Sequence, residues 1–269
     1  MAIAITHSTA ISISSVLRQS SSTLQFPFPT TNVSNSRIFS VSPMICSHEM
    51  SLLSVPRRLL LPSVSSIWDA LTGGNNSARE AVIAIQRGMQ LFRQGDVMGS
   101  LVEFDKAIEL DPRQKAYLWQ RGLSLYYLNR FDEGAEQFRL DVGQNPNDTE
   151  EAIWCFLCEA PLYGVEEARK RFLEVGRDPR RVMRNVYTMF KDGGDPDKLV
   201  AAFSSSREDE YFYATLYAGL SYESENKGDL AKDYIVAACQ SPYAQRSDDY
   251  MASLAELSQK YVQRWRNHT

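Results

Sequence analysis

The chain has 269 residues, 43% apolar and 23% charged, enough to bury a sizeable core in one large or two small domains and too apolar for a disordered protein. Its formal charge at pH 7 is −4, and it carries no basic run and no basic–aromatic interleaving, so nucleic acid is not an expected partner.

Residues 1–48 differ in character from the rest. They are rich in Ser and Thr, carry Arg18 and Arg37, and hold no acidic residue before Glu49. That is the composition of an organellar transit peptide, with a Ser/Thr bias closer to the plastid type than to the Arg-rich mitochondrial type. Taking two positive charges from −4 leaves −6 on the remainder, so the mature protein is acidic. A second segment follows over 49–77. Arg57–Arg58 precede Leu59–Leu60–Leu61 and an apolar stretch to Leu71, which reads as a thylakoid-lumen address, although Pro62 and Asp69 interrupt it. Leu60, Val64, Trp68 and Leu71 also stand at helical spacing and could cap the first repeat. Both readings fit the residues. The stretch is too short and interrupted to span a bilayer, so peripheral thylakoid association is the most it predicts. Gly73–Gly74–Asn75–Asn76–Ser77 reads as a join, with Asn76 or Ser77 as the first helix cap.

From Ala81 to Pro146 one pattern is written twice, 34 residues apart: Gly88 returns as Gly122, Phe104 as Phe138, and Pro112 as Pro146. Leu91, Ala107 and Asp111–Pro112 fill the remaining slots of the first copy, and Leu118, Leu125 and Asn145–Pro146 those of the second. This resembles the tetratricopeptide repeat, a helix hairpin in which a small residue on helix A receives an aromatic from helix B and a proline ends the unit. The expected fold is therefore all-α, a helical-hairpin solenoid over 78–269, with repeats at about 81–114 and 115–148. One hairpin cannot bury both apolar faces, so at least three are expected. A degenerate third, 149–180, begins at the cap Asn147–Asp148–Thr149, with Glu150 and Glu151 in the first turn. Phe156 takes its glycine slot, Ala168 and Phe172 keep register, and Pro161 and Gly164 set the turn. An insert at 181–207 follows, with short helices at Val182–Phe190 and Asp197–Ser204 and no repeat signature. Register returns over 212–245 with Gly219, Tyr222, Ala231, Ile235 and Ala238. A capping helix, 247–265, carries Tyr250, Leu254, Leu257, Tyr261 and Trp265 at helical period.

Catalytic chemistry has little to work with. The three histidines are His7, His48 and His268, so no Ser–His–Asp or Cys–His arrangement falls on the repeat region, and no phosphate-cradling loop or paired metal motif is present. No enzyme activity, cofactor or metal is expected. Cys155-x-x-Cys158 lies among Trp154, Phe156 and Leu157 in an apolar helix, where cysteine acts as a small hydrophobe. In tetratricopeptide repeats the A helices line the concave face. Here that places Ile85, Met89 and Phe92, then Trp119, Leu123, Tyr126 and Tyr127, in a partner-binding groove whose tyrosines add polar handles. Ile85, Met89 and Gln120 occupy positions where chaperone-tail binders carry Lys, Asn and Arg, so chaperone tails are not expected there.

Beyond the general repeat, the runs Phe104–Pro112, Tyr117–Tyr127 and Pro146–Asp148, followed by the off-register hairpin and insert, resemble the bacterial NlpI-type periplasmic tetratricopeptide adaptors. That resemblance implies a non-enzymatic scaffold that docks a C-terminal-processing protease, and a homodimer to be sought around Trp68. The chain departs from that family in having a transit peptide in place of a lipoprotein signal, and Cys46 lacks a lipidation context. The expected function is a chloroplast adaptor that binds a partner protein in its groove, with the stroma or thylakoid lumen as its compartment. The alternative is an assembly or maintenance factor for a photosynthetic membrane complex.

Overall fold

A computed structural model describes residues 76–265, with side chains through Tyr261; the expected transit peptide and residues 49–75 of the second segment lie outside the described residues. The described part is all-α: twelve α-helices and one 3-10 helix, with no strand among the described residues. Five hairpins succeed one another. They are α1 (Asn76–Arg93) with α2 (Val97–Leu110), α3 (Trp119–Tyr127) with α4 (Phe131–Gln144), α5 (Thr149–Tyr163) with α6 (Val165–Lys170), α7 (Arg181–Asp192) with α8 (Pro196–Phe203), and α9 (Glu208–Ser224) with α10 (Gly228–Gln240). A short α11 (Pro242–Arg246) and a long α12 (Tyr250–Trp265) complete the described chain.

Each hairpin turns through one left-handed residue, in order Gly95, Asn129, Gly164, Gly193 and Asn226. Glycine, and next to it asparagine, tolerates that conformation best. The helix starts that follow have local causes. The Asp96 carboxylate accepts from Gly99 N–H at 2.8 Å to start α2, and Asp148 accepts from Glu150 N–H at 3.1 Å to start α5. Asn76 and Ser77, expected as the first helix cap, lie within α1. The start of the second repeat is split between two helical segments. Asp111 binds Arg113 and Gln114 and, with Pro112 after it, winds Pro112–Tyr117 into a 3-10 turn before α3 begins at Trp119. Pro161 does not break α5. It sits in the last turn, and Gly164, at φ +84°, ends the helix.

The hairpins interlock through pairs 16 residues apart in sequence. A Cβ on Gly88 would stand 2.7 Å from the Phe104 ring, one on Gly122 2.6 Å from Phe138, and one on Gly219 2.7 Å from Ile235. These glycines are required because the partner ring or branch occupies the space of a side chain. In the third hairpin Phe156 meets Phe172 at 5.7 Å between ring centroids, so bulk stands in both slots. There the second helix is only six residues long, and Phe172 packs from beyond its end. The segment expected as an insert forms a hairpin like the others, with both α7 and α8 packed on α9.

Helices α5 and α9 are central. Every residue from Thr149 to Ala160 is buried, as is every residue from Phe212 to Tyr222, so neither helix has a solvent face. Burying a large apolar side chain such as Trp154, Phe156 or Leu216 is worth about 1.5–3 kcal/mol, so these two helices carry much of the core. Two of the three buried carboxylates of α5 are matched by cations. Glu159 pairs with Arg139, and Glu150 accepts from Arg180 at 2.8 Å and from the Tyr217 hydroxyl at 2.8 Å.

Candidate partner-binding groove

The structure places the seven expected groove residues on α1 and α3, but not on an open surface. Ile85 (3% exposed) belongs to the core between α1 and α2 with Ala81, Ala84, Phe104 and Ala107. Phe92 and Leu123 are fully sealed, Tyr126 and Tyr127 are buried, and only Met89 and Trp119 remain half-buried. Tyr126 packs inward, edge-on to Trp154 at 5.3 Å and to Phe131 at 5.6 Å.

The rest of the groove is filled by the chain's own C-terminal helix. α12 packs along α10 and against α1, and meets α3 at Trp119 and Tyr127. Tyr250 stacks on Phe92, with centroids 5.0 Å apart and planes at 15°, and meets Trp119 edge-on at 5.3 Å. The Arg93 guanidinium lies 5.6 Å above the Tyr250 ring. About two turns further along, the Tyr127 and Ser258 hydroxyls share a 2.5 Å hydrogen bond, and Tyr261 packs against Tyr127 at 5.1 Å. Three expected groove residues, Phe92, Trp119 and Tyr127, are therefore in use within the chain.

This closure leaves polar atoms unmatched. Gln120 Oε1 on α3, Tyr250 Oη on α12 and Glu223 Oε2 on α9 are sealed from solvent and accept no hydrogen bond among the described residues. An unmade hydrogen bond on a buried group costs about 1–3 kcal/mol. Glu223 is the most consequential of the three. Burial alone pushes its carboxyl up to about 7. The groups that sense its charge are the Tyr126 and Tyr127 hydroxyls, which burial first and Glu223 second raise well above the ordinary phenol value.

A second polar cluster is satisfied. Arg180 binds Asp178 through Nη2 at 2.7 Å and Glu150 through Nη1; burial opposes its charge, and the two carboxylates outweigh that and hold it protonated. Its guanidinium lies 5.9 Å from the Tyr213 ring, which stacks on Tyr217 at 6.4 Å. Tyr213 and Tyr243 donate to Asp249 at 3.2 and 2.6 Å, and Asp249 caps α12 by accepting from Met251 N–H at 2.8 Å. Burial nonetheless raises the Asp249 carboxyl to about 7. This cluster ties α5, α9 and the start of α12 into one frame.

The thiols of Cys155 and Cys158 are fully buried and free. Burial pushes Cys155 up to about 12 and Cys158 well above the ordinary value, and Cys158 Sγ fills the space a side chain on Gly134 would need. Among the described residues no group of His, Cys, Asp and Glu could hold a metal ion, and no helix is long and apolar enough to cross a membrane.

Sequence reasoning missed that α12 fills the groove, and it missed Glu223 and Arg180. The signal for Glu223 was present. Phe212, Leu216, Gly219 and Glu223 follow one helical stripe, so an acid stands where the period calls for an apolar residue. No protein-family model matches the chain.

Proposed function

We propose that the protein is a non-enzymatic adaptor that binds a partner protein by receiving a helix in the groove formed by α1 and α3. One observation carries this reading: a helix already sits there, held by aromatic faces on Phe92, Trp119 and Tyr127. A groove that accepts an amphipathic helix within the chain has the width, apolar lining and hydroxyl handles to accept one from a partner. The acid-free, Ser/Thr-rich residues 1–48 support a plastid location. The resemblance to NlpI-type adaptors makes a C-terminal-processing protease the first partner to try.

Titration of the purified full chain with such a protease, read by interferometry, tests this. Saturable binding that Trp119→Ala weakens by about tenfold or more is expected, since aromatic anchors dominate such interfaces. Absence of binding up to about 100 µM, near −5.5 kcal/mol, would overturn the protease as partner.

A further inference from the structure

We propose that residues 60–71 lie across the open side of α1 and close the first end of the array, as the second helix of a preceding hairpin would. The inference concerns the end of the array, not its groove, and so stands apart from the adaptor reading.

The other hairpins define the open side. Gly88, Gly122, Phe156 and Gly219 hold one slot of the repeat, and the residues one before and two after that slot mark a side of each first helix. In α3 they are Arg121 and Ser124, and both reach back to α2. Arg121 Nε donates to Asp105 at 2.7 Å, and the Ser124 and Ser100 hydroxyls bond at 2.8 Å. In α5 they are Cys155 and Cys158, and both reach back to α4. The Cys155 thiol donates to the Ala135 carbonyl at 3.7 Å, and Cys158 Sγ fills the space beside Gly134. In α9, which packs on α8, they are Ala218 and Ser221, and both are buried. In α1 they are Arg87 and Gln90, and both are exposed. Arg79 and Ile83, exposed too, complete one line at spacings of four, four and three residues. A side that is covered in α3, α5 and α9 is therefore bare on α1.

The chain entering α1 has the matching cover. Leu60, Val64, Trp68 and Leu71 repeat the spacing of four, four and three, and Ser65, Ser66 and Asp69 fall on the opposite side as the polar outer face that a terminal unit needs. Four residues, 72–75, separate Leu71 from α1, as four separate α4 from α5 and α8 from α9. Across such a link facing residues are counted outward: Phe138, six before the end of α4, stacks on Trp154, five after the start of α5. By that count Val64, seven before Leu71, meets Ile83, seven after Asn76; Leu60 and Arg87 stand eleven away, and Trp68 and Arg79 three. The apolar stripe then covers Ile83 and the aliphatic stems of the two arginines, with Trp68 over Arg79 for a cation–π contact. Polar residues on the α1 side do not oppose this, since Arg121 and Ser124 are covered in the same way. Of the two readings of residues 49–77, this surface favours the cap, which keeps the segment in the working protein.

The test uses the full chain carrying Cys46→Ser, Val64→Cys and Ile83→Cys, treated in dilute solution with a short bismaleimide and resolved by gel and peptide mass analysis. The three remaining cysteines are buried. A bridge between positions 64 and 83 within one chain is expected in most molecules. A bridge between two chains would give the face to a second copy, and no bridge would leave it bare; either result would overturn the proposal. Urea melts check the same contact without added thiols. Val64→Ser and Ile83→Ser in the full chain should each lower the midpoint, and the double variant should lower it by less than their sum. Strictly additive losses, or a Val64→Ser variant that melts like wild type, would also overturn it.

Discussion

Replacing Glu223 with Gln removes a carboxyl that burial raises and whose Oε2 has no hydrogen-bond partner among the described residues, while keeping its shape. In the folded chain its carboxyl titrates at about 7, against an ordinary 4.5. The folded state therefore resists ionisation. Stability is unaffected below pH 4.5, falls as pH rises from there, and has lost its full increment above about 7. At 1.36 kcal/mol per pH unit the increment is about 3 kcal/mol, a large share of the 5–15 kcal/mol typical of a domain. Glu223→Gln should match wild type at pH 4.5 and exceed it at pH 8 by about 3 kcal/mol in urea melts, or by about 6–12 °C in midpoint for a domain of this size. A stability difference that is the same at both pH values would refute the buried, unpaired carboxyl.

Gly122→Ala should destabilise by about 1–3 kcal/mol, because its Cβ would stand 2.6 Å from the Phe138 ring, whereas Gly143→Ala, with nothing within 4 Å at the exposed end of α4, should stabilise by about 0.5–1 kcal/mol. Thermal melts that rank the two the other way would contradict the interlock. Arg180→Met leaves Glu150 and Asp178 without their shared cation and should cost about 3 kcal/mol in denaturant melts; a cost within experimental error would show that the triad contributes nothing. Native thiol labelling at pH 8 should leave Cys155 and Cys158 unmodified until the chain is unfolded, since burial holds both protonated, and rapid modification of either would mean that the core opens there.

Much of this fold could be read from residue spacing. The bounds of α2 and α4 follow from the turn residues before them and the Asp–Pro and Asn–Pro after them, and the Gly–Phe pairs name the contacts that hold the first two hairpins. Reading became harder where local and tertiary causes compete. The 3-10 turn at Pro112–Tyr117 depends on Asp111 binding two later side chains, a choice that periodicity does not register. α7 and α8 lack the repeat's residues yet form a hairpin, because α9 offers apolar surface on the side they cover. The groove was the least legible part. Tyr250 and Tyr261 stand at helical period in α12, and Phe92, Trp119 and Tyr127 on α1 and α3, but nothing in either pattern says that the two sets face each other. That contact joins residues more than 120 apart in sequence, as in the Tyr127–Ser258 bond across 131 positions, and only closure of the array brings it about.

Photo-crosslinking from the position of Trp119, replaced by a benzoylphenylalanine in the full chain, tests most directly whether the groove is a binding surface held by α12. Irradiation of the purified protein should give an intramolecular adduct to α12. Irradiation in the presence of a saturating partner should move the adduct to a helical segment of that partner. An adduct that stays on α12 while the partner is demonstrably bound would show that binding occurs elsewhere, and the groove would then be only the closed interior of the fold.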